Sequence, residues 1–81
     1  MFAIYILFSD QLQKHYVGYT HKSVNQRLEE HLHNHQGFTA KAKDWKIVFQ
    51  HQLVSKTDAL LLERKIKKRG ASRYLNDIAS R

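Results

Sequence analysis

Apolar and aromatic residues fill both alternating sets of positions in residues 2–8 of the chain. This pattern predicts a β-strand that is buried on both faces, or on one face with a functional pocket on the other. Residues 9–13 are polar enough to form a turn, and residues 14–19 return as a second strand. With a two-residue loop, Tyr5 would lie opposite Tyr16 on one face of the hairpin. One additional loop residue would place the two tyrosines on opposite faces.

A first helix is predicted after Ser23, because Ser23 and Gln26 have the spacing of a capping box. Its core-facing stripe repeats at helical spacing and includes two histidines: Val24, Leu28, His31, Leu32 and His35. The helix is expected to end at residues 36–37. The basic residues 38–44 that follow are interpreted as a mobile loop.

The second half of the chain begins with a third predicted strand at residues 45–53, which are rich in β-branched and aromatic side chains. A second capping box at residues 55–58 opens a helix that is expected to run to about Arg69, before Gly70. The stripe of this helix contains one carboxylate among apolar residues: Ala59, Leu62, Glu63 and Ile66.

A last short helix, capped by Ser72, is expected to pack Leu75 and Ile78 on the core. The element order β-β-α-β-α-α predicts an α+β fold, a small three-stranded antiparallel sheet flanked by helices. With 81 residues, the chain has too little surface to bury for a second core. Residues 1–81 are therefore interpreted as a single domain.

The formal net charge is +7, from 14 Lys and Arg residues against 7 Asp and Glu residues. Such an excess favours polyanionic partners, with nucleic acid ahead of an anionic membrane or an acidic protein. The chain has no cysteine, which excludes disulfides and cysteine nucleophiles and favours the cytoplasm. The apolar residues 2–8 are too short to cross a bilayer and lack the basic flank of a signal peptide.

Glu63 is the most informative candidate for chemistry, because burying an ionised carboxylate is costly unless cations or hydrogen bonds compensate it. One interpretation is a structural salt bridge to a basic neighbour such as Arg27 or Lys67. The other is a metal ligand, since Mg²⁺ commonly takes one or two carboxylates together with water and substrate phosphate.

Arg27 and His31 lie four residues apart, so both point from one edge of the first helix. An arginine suits a phosphate because its planar fork donates two parallel hydrogen bonds. The ordinary pKa of histidine suits proton transfer. Tyr5 and Tyr16 are poor bases at neutral pH unless a nearby cation lowers the pKa of a phenol. Each of the four is also consistent with a purely structural role.

Basic side chains elsewhere are candidates for contacts with phosphates, although a solvated surface explains the run at residues 64–69 equally well. The candidates for nucleic-acid binding are Lys14, Lys22, Lys41, Lys43, Arg64 and Lys67.

Together, Ala-Ile-Tyr at residues 3–5 and Tyr-Val-Gly at residues 16–18, followed by the arginine, histidine and glutamate, resemble the GIY-YIG nuclease family. The chain looks most similar to its small, excinuclease-like branch. It departs from the family pattern at Ala3, which stands for glycine, and at Tyr19, where such members often carry a lysine. The cationic role of that lysine would then be vacant, or it would move to Lys14 or Lys22.

The resemblance implies one divalent cation, Mg²⁺ or Mn²⁺, held by Glu63. It also implies catalytic roles for Tyr5, Tyr16, Arg27 and His31, with either tyrosine or His31 as the general base. In this family pattern Gly18 closes the second motif. Asn76 is a loose match to a family asparagine.

The resemblance and the charge predict a metal-dependent endonuclease that hydrolyses phosphodiester bonds, in DNA rather than RNA. Structure-selective cleavage in repair or recombination is the expected setting, and the protein is expected to be a monomer or weak homodimer. Two alternatives remain open from the sequence, an inactive nucleic-acid-binding module and a protein-interaction subunit.

Overall fold

The computed structural model describes residues 1–33 and 37–80. Its elements occur in the predicted order, with a short 3₁₀ helix before the third strand. The strands are β1 (Phe2–Ser9), β2 (Lys14–Thr20) and β3 (Lys46–Leu53), and the helices are α1 (Val24–His33), the 3₁₀ helix (Phe38–Lys41), α2 (Lys56–Arg69) and α3 (Ala71–Ala79). The three strands form one antiparallel sheet in the order β2-β1-β3, which confirms the predicted α+β class.

β1 is the central strand, and its alternating side chains build two apolar layers. On one face Tyr5 and Leu7 pack with Val24 of α1. On the other face Ile4 packs with Ile66 of α2. Burial on both faces, predicted from the apolar residues of this strand, is confirmed.

The hairpin register differs from the predicted one, although the two tyrosines still share a face. Tyr5 pairs with Gly18, and Tyr16 pairs with Leu7. The prediction that the tyrosines lie directly opposite each other was therefore wrong. The loop has four residues rather than two and ends at Gln13 in a left-handed conformation (φ 53°). Because two residues were added, the alternation of side chains keeps both tyrosines on one face.

The helix starts follow the capping signals in two of three cases. The Ser23 Oγ accepts a hydrogen bond from the Gln26 amide at 3.1 Å, and the Ser55 Oγ accepts one from the Asp58 amide at 3.1 Å. The predicted cap of α3 at Ser72 was wrong. Gly70 ends α2 and also precedes the first residue of α3, with no side-chain cap, so position 72 lies inside the helix.

Residues 38–44, predicted to be a mobile loop, begin with the short 3₁₀ helix and contribute buried side chains to the core. Thr39 in the 3₁₀ helix is buried, and so are Ala42 and Trp45. The Trp45 indole Nε1 donates a hydrogen bond to the Thr39 carbonyl oxygen at 2.9 Å. Trp45 itself precedes β3 rather than lying within it. His35 and Gln36, the first of the two residues at the predicted end of the first helix, fall outside the described residues.

Candidate active site

A cleft of about 440 Å³ opens at the end of the edge strand β2, where the layers on the two faces of the sheet meet. Four of the residues singled out for chemistry line it together: Tyr5, Tyr16, Arg27 and Glu63. The rest of the lining comes from β2, the turn after it and α1: Gly18, Tyr19, Thr20, His21, Lys22 and Glu30. The topology thus brings side chains from β1, β2, α1 and α2 to one place.

Because Gly18 has no side chain, the Tyr5 ring can lie in close contact with the backbone of β2. A Cβ atom at position 18 would lie 2.7 Å from the Tyr5 hydroxyl oxygen and 3.1 Å from the Tyr16 Cε2 atom. The two tyrosine rings are 6.3 Å apart between centroids. The glycine is therefore required by close approach, since any side chain would overlap the phenol.

A chain of hydrogen bonds runs from the cleft into the core. The Tyr5 hydroxyl lies 2.8 Å from the His31 Nε2, and the His31 Nδ1 lies 2.9 Å from the Thr39 Oγ1. His31 is 3% exposed, so both of its ring nitrogens are used inside the protein. These bonds fit a neutral imidazole that donates from Nδ1 to Thr39 and accepts at Nε2 from Tyr5. His31 therefore reaches the cleft through Tyr5.

The pKa values of both groups favour this neutral arrangement. Burial, with a further contribution from Tyr16, raises the pKa of Tyr5 to about 12, although Arg27 acts in the opposite direction. Burial also lowers the pKa of His31 below its ordinary value of 6.5, and the Arg27 charge adds to that effect. At neutral pH both groups are therefore uncharged, since the phenol keeps its proton and the imidazole does not take up a second one.

Arg27 and Lys22 are joined by Glu30, a cleft residue that the sequence analysis did not identify. Arg27 Nη1 and Lys22 Nζ each lie 2.6 Å from one of the Glu30 carboxylate oxygens. The hydrogen bonds from Lys22 and Arg27 hold the pKa of this carboxyl below its usual range. The one signal in the sequence was an acidic residue three positions after Arg27, which is within reach on a helix.

Glu63 lies on α2 with its side chain 18% exposed, and it faces the cleft. Among the described residues its ion-pair partner is Lys67, at 3.5 Å. The alternative salt bridge to Arg27 is not formed, since Arg27 pairs with Glu30.

The donor set fits a divalent cation held mainly by its substrate and by water. Residues 1–33 and 37–80 contain no cluster of three or more acidic, histidine or cysteine side chains that would enclose a metal ion. A partly exposed single carboxylate that faces an open cleft is compatible with Mg²⁺, which usually keeps several waters and binds substrate phosphate.

The other predicted contact residues are dispersed. Lys14 is exposed at the start of β2, Lys41 lies over the Phe38 ring at 5.3 Å, and Lys43 is exposed. Asn76 is exposed on α3 and does not line the cleft.

Arg64 and Lys67 share a second hollow with Glu63 on α2, as expected from their positions on the helix. Lys68 lines the same hollow.

The fold and the cleft define an α+β domain whose tyrosines, arginine and glutamate converge at the edge of its sheet. The family model of the GIY-YIG catalytic domain matches residues 1–76. The chain therefore belongs to the GIY-YIG family, a family of nucleases. Comparisons with the curated proteins and with the solved structures gave no match.

None of the helices described in residues 1–33 and 37–80 combines the length and apolar character needed to cross a membrane.

Proposed function

We propose that this protein is a metal-dependent endonuclease that hydrolyses phosphodiester bonds in DNA. The observation that carries the proposal is the convergence of Tyr5, Arg27 and Glu63 on one cleft, with His31 behind the phenol. A binding module has no use for a partly buried carboxylate beside its phosphate-binding cations, because the carboxylate would repel the substrate.

Tyr5 and His31 form the proton-transfer unit in this proposal. The phenol oxygen takes a proton from the attacking water while the hydroxyl proton passes to the His31 Nε2, 2.8 Å away. Free phenolate is not required, which agrees with a pKa of about 12 for Tyr5. Thr39 fixes the ring by accepting from Nδ1, so that Nε2 remains the acceptor. Tyr16 is half-buried beside His31 and helps to exclude water from the transfer.

Arg27 and Lys22 bind the non-bridging oxygens of the phosphodiester. In the free protein both cations are held by Glu30, which keeps their side chains extended into the cleft. A substrate phosphate would replace Glu30 as their partner, and the planar fork of Arg27 would stabilise the charge that grows on phosphorus-bound oxygens.

Glu63 would hold the divalent cation, Mg²⁺ or Mn²⁺, which supplies electrostatic stabilisation at the departing oxygen when it is bound. The water oxygen bonds to phosphorus, and the bond from phosphorus to the 3′-oxygen breaks. The departing 3′-oxygen takes a proton from solvent water, and His31 releases the proton that it received to solvent. The products are a 5′-phosphate and a 3′-hydroxyl. The basic charge supports a nucleic-acid substrate, and the absence of cysteine supports action in the cytoplasm. Repair or recombination is the setting that we propose for this activity.

Cleavage of a labelled DNA panel by purified Glu63→Gln protein tests the proposal. We expect divalent-dependent cleavage to be lost, while the fold and DNA binding are kept because the amide is nearly isosteric. Glu29→Gln is the matched control, since Glu29 lies on α1 with its side chain 68% exposed. Undiminished cleavage by Glu63→Gln would make Glu63 structural. Binding without cleavage by the wild type, with either metal, would identify a binding module.

A further inference from the structure

A groove of about 770 Å³ lies beside the cleft, along the free edge of β2. Tyr16 and Val17 of β2 form one part of it, Phe38 of the 3₁₀ helix a second, and the junction of α2 and α3 around Gly70 the third. We call this surface the β2-edge groove. Tyr16 lines both the groove and the cleft, so the two hollows share a wall.

The β2-edge groove combines flat aromatic surface with positive charge. The Tyr16 and Phe38 rings are 19° from parallel, with centroids 6.4 Å apart. Lys67 and Arg73 line the groove as exposed cations, and the described residues that line it include no Asp or Glu. Aromatic surface beside cations is the combination that binds single-stranded nucleic acid, since bases stack on the rings while cations contact the backbone. A polyanion with flat apolar groups is therefore the occupant that this groove favours.

The position of the groove relates it to the proposed reaction. Lys67 follows Glu63 by one turn of α2, about 6 Å along the helix axis, and the two side chains are 3.5 Å apart. The groove is therefore within reach of a nucleotide next to a phosphodiester held at Glu63.

We propose that the β2-edge groove binds the base of an unpaired nucleotide next to the phosphodiester held in the cleft. In a duplex that base is paired and stacked, so the groove selects substrates that are single-stranded at this position, such as flaps or gaps. Stacking tolerates any base, so selection is by structure rather than by sequence. The inference rests on the proposed function for the placement of the phosphodiester.

Binding of fluorescent oligonucleotides in the presence of a chelator tests the inference without cleavage. We measure the affinity for a single strand and for copies in which one nucleotide at a time is abasic. Because base stacking on aromatic side chains contributes to the binding of single strands, one abasic position should weaken binding by the wild type by about tenfold. In Phe38→Leu, which keeps apolar bulk but loses the ring, that penalty should fall to about twofold or less.

Arg73→Gln provides a second, independent variant, because Arg73 is exposed and its loss does not threaten the core. It should weaken binding of the single strand more than binding of a duplex of equal length. Lys65→Gln is the matched control, since Lys65 lies on α2 but lines a different hollow with Phe49. The control should leave the abasic penalty unchanged.

Three results would overturn the inference: no penalty at any abasic position, the same penalty in the wild type and Phe38→Leu, or equal losses for single strand and duplex in Arg73→Gln. Phe38 contacts Trp45, at 5.9 Å between ring centroids, so thermal melting must first show that Phe38→Leu is folded. If it is not, the Arg73→Gln comparison decides. An abasic penalty without any cleavage would support the groove and refute the nuclease proposal, whereas cleavage without a penalty would do the reverse.

Discussion

The substitution Gly18→Ala tests whether the geometry of the site depends on the bare backbone of β2. The new Cβ would lie 2.7 Å from the Tyr5 Oη atom and 2.8 Å from its Cζ atom. Carbon atoms pack best at about 3.5–4.0 Å, so the ring must move. Tyr5 is 1% exposed, and its hydroxyl is hydrogen-bonded to His31. The ring therefore cannot move without disturbing the core and that hydrogen bond.

Three terms set the expected magnitude. Overpacking a well-filled core costs about 1–3 kcal/mol, and losing the bond between Tyr5 and His31 costs about 1 kcal/mol. Against these, alanine reduces the freedom of the unfolded chain and stabilises the protein by about 0.4–1 kcal/mol. The first two terms exceed the third, so Gly18→Ala should lower the free energy of unfolding by about 1–3 kcal/mol.

Urea unfolding measures this loss, and a double-mutant cycle identifies its cause. Gly70→Ala is the control, because a Cβ at Gly70 meets no atom within 4 Å and its strain comes from the backbone alone (φ 94°). Tyr5→Phe removes the atom at 2.7 Å but leaves the Cζ atom at 2.8 Å, so it should reduce the cost of Gly18→Ala in part and leave that of Gly70→Ala unchanged. Wild-type stability in Gly18→Ala, or strict additivity with Tyr5→Phe, would refute the reasoning.

Three further predictions concern charge. Glu30→Gln should release Arg27, tighten nucleic-acid binding and steepen its salt dependence, and unchanged affinity would show that Glu30 does not compete with phosphate. The pKa of His31 is lowered in the folded state, so the unfolded chain takes up its proton first as the pH falls below 6.5. The free energy of unfolding should therefore decrease between pH 7.5 and 5.5, and less so in His31→Gln; equal decreases in urea titrations would exclude His31 as the cause. An Arg64→Ala/Lys67→Ala double variant should reduce the slope of log affinity against log salt by about 0.7–0.9 per lost contact, whereas an unchanged slope would mean a merely solvated face.

Local periodicity was sufficient to predict the elements. In β1, for example, apolar residues occupy both odd and even positions, which predicts a strand with no exposed face. The same reasoning left open whether Tyr5 and Tyr16 share a face, and it did not give their register. Register depends on loop length, and nothing in the residues of this turn required a left-handed Gln13. The cap predicted at Ser72 was wrong for a related reason. A capping preference depends on local sequence alone, whereas α3 begins directly after Gly70, the residue that ends α2.

Contacts that depend on how neighbouring elements pack could not be predicted from the sequence. Thr39 lies eight residues from His31, and its hydroxyl became a partner of the imidazole only because the 3₁₀ helix packs back on α1. Glu30 was overlooked because an exposed acid at helical spacing from an arginine is common on protein surfaces, where such pairs contribute little. Glu30 is relevant to the site because it lines the cleft together with Lys22.

The site depends on the edge of the sheet more than on either of its faces. Arg27 belongs to α1, which packs on the layer of Tyr5, whereas Glu63 belongs to α2, which packs on the layer of Ile4. Side chains on opposite faces of a sheet meet only around an edge strand, and β2 is such a strand. At Gly18 the edge has no side chain, so the phenol of one layer can approach the carboxylate of the other. A turn one residue longer or shorter would put the two tyrosines on opposite faces of the sheet, so an even number of turn residues is a condition for the site itself.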